Sequence, residues 1–96
     1  MKNIALFYIT HATKENALEF VSTLTEDKHI ACGNILPIES CYWWEGQMEQ
    51  EAEYVSIVKT SLSKAEGLRT IMRDIHPYDT PCFLHWEVTA NDAYAD

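Results

Sequence analysis

The residues with the most chemical scope in this sequence are three cysteines, four histidines, a run of glutamates and a cluster of aromatics at positions 42–44. Cys32, Cys41 and Cys82 are odd in number and form no C-x-x-C pair, so neither a disulfide framework nor a structural zinc site is indicated. Cys32 reads as a packed structural thiol, with a soft-metal ligand as the alternative. Its odd spacing from Cys41 sends the two side chains to opposite faces of an unbulged strand, which argues against a shared chelate. Cys82 is expected to face the core with Leu84 and Trp86 and to be inert. His76 precedes Pro77 at the end of a helical stretch, where an imidazole either caps the last carbonyls or serves as a ligand to a small molecule or a metal. One histidine per chain is too few donors for a transition metal unless neighbouring protomers add theirs. His11 and His85 read as solvated surface residues.

Glu49, Glu51 and Glu53 alternate, so on a strand they share a face and offer weak affinity for a hard cation. A solvated charged edge is the preferred reading of that run. Tyr42, Trp43 and Trp44 suit the buried anchors of an oligomer interface better than a stacking platform. Lys59 reads as a salt-bridge partner across a subunit boundary, with orientation of an anionic ligand as the alternative. Tyr42, Trp44, Lys59, His76 and Tyr78 are polar-tipped groups of the mixed chemistry that a ligand cleft between subunits requires. No Gly-rich phosphate loop, G-x-S-x-G or H-E-x-x-H occurs, so no enzyme is expected.

These side chains must be positioned by elements whose periods are readable. Residues 3–10 are apolar at both parities, which predicts a central strand covered on both faces. Thr13 caps a helix over 14–28 with Ala17, Phe20, Val21 and Leu24 on its inner face. Ile30 to Trp44 is β-prone, and Pro37 within it predicts a bulge or a change of partner. Glu45-Gly46-Gln47 signals a turn into a second long strand, so the two make a ribbon. Ser63-Lys64-Ala65-Glu66 has the form of a capping box, opening a helix with Ala65, Leu68, Met72 and Ile75 inward that Pro77 stops. Residues 81–88 alternate as a fourth strand. The order β-α-β-β-α-β predicts an α+β, ferredoxin-like sandwich with a long β2-β3 hairpin.

The 96 residues leave room for a single domain over 1–96. A formal net charge of −8 disfavours nucleic acid and anionic membranes and leaves room for a cationic partner. No apolar run reaches membrane-spanning length and no signal peptide is read, so a reducing cytoplasm is the expected location. The uncovered face of such a sheet, together with the aromatic ribbon, already predicts an oligomer.

Four segments carry a resemblance: Ala31-Cys32-Gly33-Asn34-Ile35, Ser40-Cys41-Tyr42-Trp43-Trp44-Glu45-Gly46, Lys59-Thr60, and His76-Pro77-Tyr78-Asp79-Thr80-Pro81. Together they resemble the CutA divalent-cation tolerance family, over about residues 4 to 94. The resemblance implies a ferredoxin-like fold, a homotrimer packed through its long hairpins, and a part in the response to copper and other divalent metals. The trimeric PII signalling proteins share that architecture, which keeps open a signalling or scaffolding role with a small ligand or protein partner at intersubunit clefts. Copper-binding members draw ligands from a cysteine ending the first strand and a His-His pair before Pro-Tyr. Those places hold Ile9, Ile75 and His76 here, so only His76 matches, and Cys32 is the other candidate metal ligand. The family also usually carries two small residues before the cysteine and a hydrophobic one after it, where this sequence has Ile30-Ala31 and Gly33.

Overall fold

The computed structural model describes residues 1–95. Its elements run β1 (Lys2–His11), α1 (Lys14–Glu26), β2 (Cys32–Trp44), β3 (Gln47–Ser61), α2 (Leu62–Ile75), β4 (Phe83–Ala90) and a short α3 (Asp92–Ala95). The four strands form one antiparallel sheet in the order β2-β3-β1-β4, which makes β1 central. Its odd-numbered side chains Ala5, Phe7 and Ile9 are fully buried under the two helices, which contribute Phe20, Leu24, Leu68 and Met72. Burial of these apolar groups is the main stabilising term of the fold.

Helix α1 starts where the sequence places it, with the Thr13 hydroxyl accepting from the Asn16 N–H at 3.0 Å. It ends two residues earlier than expected. The Lys28 N–H donates to the Thr25 carbonyl and the His29 N–H to the Leu24 carbonyl, with Lys28 left-handed at φ 61°, which is a Schellman closure. Helix α2 also departs from expectation. Ser61, the last residue of β3, is its N-cap, and Ser63 lies inside the helix with its hydroxyl 3.2 Å from that of Ser61, so the capping box does not form. Strand passes into helix without a loop, which moves the helix start ahead of Ser63. At the other end His76 is the C-cap in extended geometry, as Pro77 requires.

The Pro37 bulge does not occur. From Cys32↔Lys59 to Trp44↔Gln47 the β2-β3 register is unbroken, and Pro37 pairs with Tyr54. Strand β2 is at the sheet edge, where a proline nitrogen turned outward removes no ladder bond. Glu45 (φ 50°) and Gly46 (φ 77°) close the hairpin with both central residues left-handed, as a type I′ turn demands. Because β1 pairs with β3 only from Tyr54 to Ser61, the distal part of the hairpin projects beyond the sheet, and the molecule measures 46 × 24 × 21 Å.

The parity of β4 reverses the expected one. Leu84 and Trp86 pair with Tyr8 and Leu6 and lie on the face opposite the helices, 53% and 42% exposed, whereas Phe83 and His85 occupy the helix side. Cys82 precedes the strand and is half-buried. The open face thus carries Leu36, Leu84 and Trp86 around the half-buried Leu6 and Tyr8. Among the described residues no helix is long and apolar enough to cross a membrane.

Candidate functional site

The projecting hairpin and the turn after α2 enclose a cleft of about 700 Å³, lined by Ala12, Tyr42, Trp44, Glu49, Glu51, Glu53, Tyr78 and Thr80. Strand alternation builds one wall. Tyr42 faces Glu49 across the ribbon and Trp44 faces Gln47, so these aromatics share a face with the alternating glutamates. The second wall comes from the chain after Pro77, which brings Tyr78 against β3. Tyr42 donates its phenol to Glu51 Oε2 at 2.8 Å, and Tyr78 donates to Glu53 Oε2 at 3.3 Å. The hydrogen bond to Glu51 is the chief cause that raises the Tyr42 pKa, whereas Tyr78 is pushed up to about 12 first by burial and then by Glu53. Both phenols therefore remain protonated donors at neutral pH.

His76 anchors that turn. The Tyr78 N–H donates to its Nδ1 at 3.2 Å, which leaves Nε2 to carry the proton and donate to the Thr10 carbonyl at 2.8 Å. The neutral ring has no free lone pair for a metal in this arrangement. Burial lowers its pKa, with the Thr10 contact acting against that shift. His76 stacks on His11 at a centroid distance of 5.3 Å and meets Phe20, Tyr78 and Phe83 edge-on. His11 is not the surface residue its type suggested: it is 1% exposed, its Nε2 lies 2.8 Å from Ser56 Oγ, and its Nδ1 has no partner among the described residues. Burial, and secondarily the neighbouring His76, depresses its pKa to about 4. The signal was present in the alternation, because His11 continues the buried face of Phe7 and Ile9. His85 is exposed, yet its ring stacks on Phe7 at 4.4 Å and its Nδ1 lies 3.3 Å from Arg69 Nη2.

Of the residues singled out for a cleft, Tyr42, Trp44 and Tyr78 converge and Lys59 does not. Lys59 lies six positions from Glu53 on β3, roughly 20 Å away. There its ammonium donates to Asn34 Oδ1 at 2.7 Å and sits 5.8 Å from the centre of the Tyr94 ring. Trp43 is 72% exposed on the opposite face of the ribbon, beside Met48. Cys32 pairs with Lys59 on the open face, half-buried and outside the helix-side core where a packed thiol was expected. Four residues along the sheet and two strands across separate it from the Thr10 carbonyl that holds His76, on the order of 15 Å. Among the described residues no three His, Cys, Asp or Glu side chains are grouped to hold a metal ion. The glutamates, read from sequence as a solvated edge, instead form the floor of the cleft, Glu49 and Glu53 half-buried. Only the position of the turn after α2 makes that evident.

A four-stranded antiparallel α+β domain with a projecting hairpin and an acidic, aromatic-walled cleft is the class that these observations define. A profile of the family described as CutA1 divalent ion tolerance protein matches residues 5–96. The divalent-cation tolerance protein CutA of Thermotoga maritima is 40% identical over 83 residues, covering 86% of this chain and 82% of that protein. Among solved structures, the divalent ion tolerance protein CutA1 from Ehrlichia chaffeensis superposes with a TM-score of 0.93 at 38% identity, covering 99% of this chain and 91% of that one. The CutA of Archaeoglobus fulgidus, described as a periplasmic divalent cation tolerance protein, superposes at 0.88 with 34% identity, covering 98% and 92%. The chain belongs to the CutA divalent-cation tolerance family.

Proposed function

We propose that this chain works as a ferredoxin-like protomer of a cytoplasmic homotrimer in the response to divalent metal ions, without enzymatic activity. The observation that carries the assembly is the open sheet face, where Leu36, Leu84 and Trp86 are 40%, 53% and 42% exposed beside the aromatic hairpin. Family membership supports the link to divalent cations. Copper is the metal to test first. His76 and Cys32 stand apart in the protomer, and His76 must give up the Tyr78 N–H at Nδ1 before it can ligate, so a metal at either residue draws its remaining donors from neighbouring protomers. Calorimetric titration of tag-free protein with Cu²⁺ and Zn²⁺ tests direct capture. Saturable binding that is lost in the His76→Ala, Cys32→Ser double variant is expected, and heats no larger than those of that variant remove direct binding from the proposal.

A second reading has its own support. The convergence of Tyr42, Trp44 and Tyr78 in one cleft favours a signalling or scaffolding trimer that binds a small ligand or a partner between subunits. Metabolite thermal-shift screening and pull-downs test it. A specific hit is expected, and no stabilising ligand together with no specific partner abandons this reading.

A further inference from the structure

The cleft has three features that together select a ligand class. Tyr42, Trp44 and Tyr78 supply aromatic faces, which attract a cation carried on an apolar body. Glu49, Glu51 and Glu53 lie along the floor at alternate strand positions, so their backbone positions succeed one another at roughly 7 Å. They do not gather around one point, and no metal-holding group of three is found among the described residues. The local charge is also unbalanced: between Lys28 and Lys59 the sequence holds five glutamates, no aspartate and no lysine or arginine. The phenols that touch Glu51 and Glu53 are neutral, so they orient those carboxylates without cancelling their charge.

A single compact cation satisfies one carboxylate and leaves the aromatic wall unused. A linear chain with ammonium groups separated by three or four methylenes places charge at successive carboxylates and lays its methylenes along the rings. From this match we propose that the cleft binds a linear aliphatic polyamine, an inference that rests on the small-ligand reading of the same cleft and names its ligand class. Each ammonium donates to a carboxylate, which is the charge-assisted form of hydrogen bond. The aromatic faces, and not charge alone, set the preference over inorganic cations.

Titration of the full chain in its native assembly with spermidine, followed by tryptophan fluorescence and calorimetry, tests the proposal. One saturable site per protomer is expected, with affinity at least tenfold above that for Mg²⁺ or methylammonium. Trp44→Leu and Glu51→Gln should each weaken spermidine at least tenfold, whereas Glu15→Gln on α1 should leave it unchanged. Circular dichroism and the elution position of each variant establish that fold and assembly persist. Binding that Mg²⁺ displaces at equal concentration, or that Trp44→Leu does not alter, reduces the cleft to a counterion surface and overturns the proposal. Binding of oligolysine without spermidine assigns the cleft to a basic peptide and also overturns it. Stabilisation by an anionic or neutral metabolite with none by polyamines sinks the polyamine assignment and keeps the cleft reading, and no response to any class sinks both.

Discussion

His11 is a buried ring with one nitrogen bound to Ser56 and the other without a partner among the described residues. Protonating it would place a cation against the His76 and Phe20 rings. Its pKa falls from 6.5 to about 4 on folding, so between those values the unfolded chain holds more protons than the folded one. Stability is therefore undiminished above pH 6.5 and is lost as the pH drops toward 4, by at most roughly 3 kcal/mol from this group. Urea denaturation across that window should show the decline. His11→Gln carries an amide near the position of Nε2 to meet Ser56 and does not titrate, so its stability should vary less with pH over the same range. An unchanged slope in that variant would assign the effect elsewhere. His76 also has a lowered pKa, so protonation loosens the turn that carries Tyr78 into the cleft.

The elements meet at two places where backbone geometry decides the residue. Gly33 in β2 lies under α1, and a Cβ there would stand 2.6 Å from Val21 Cγ1. Valine is stiff about χ1, so the helix itself must yield. Gly33→Ala should cost about 1–3 kcal/mol in chemical denaturation, as overpacking does. No loss in that variant would mean that α1 shifts freely on the sheet. Lys28 is the converse case. It occupies the left-handed position of the α1 closure, where glycine avoids the steric penalty of a side chain, and its carbonyl accepts from Lys64 Nζ at 2.9 Å. Lys28→Gly retains that carbonyl and should stabilise the protein by about 0.5 kcal/mol, the left-handed penalty removed less the added unfolded-state entropy. Differential scanning calorimetry would register this as a raised Tm, and a lowered Tm would show that the Lys28 side chain contributes more than its backbone strain.

For the whole molecule, the proposed assembly rests on the uncovered sheet face. Leu84 and Trp86 lie beside β1 on the side that the helices leave open, whereas Leu18, 47% exposed, projects from α1. Burial of the open face in a trimer should make Trp86→Asp dissociate the protein while Leu18→Asp, an equal insult to an exposed apolar residue, leaves it assembled. Light scattering after size exclusion reads both outcomes. A mass three times the 11.1 kDa of the chain is expected for the parent protein. A mass of one chain at micromolar concentration overturns assembly, and a dimer refutes threefold symmetry alone. Folding and association should be coupled, so the Tm of the parent should rise with protein concentration.

Local pattern determined much of this protein. The order of the four strands and of α1 and α2, the inner face of α1, the central place of β1, the turn at Glu45-Gly46 and the arrest of α2 before Pro77 all follow from period, cap and turn chemistry acting over a few residues, whereas the short α3 is not read from them. The family is legible as well, because its hairpin and turn motifs are contiguous stretches of sequence. Tertiary structure decided what such patterns leave degenerate. A strand apolar at both parities, such as β4 with Phe83 and Leu84, alternates equally well with either set inward, and only pairing with β1 selects one. Pro37 reads as a bulge until β2 is known to be an edge strand. His11 reads as polar surface until the helices cover its face of the sheet. The cleft is the largest such case, since Tyr78 reaches Glu53 from 25 positions further along the chain. Period fixes which side chains share a face, but which face becomes interior depends on contacts between segments distant in sequence.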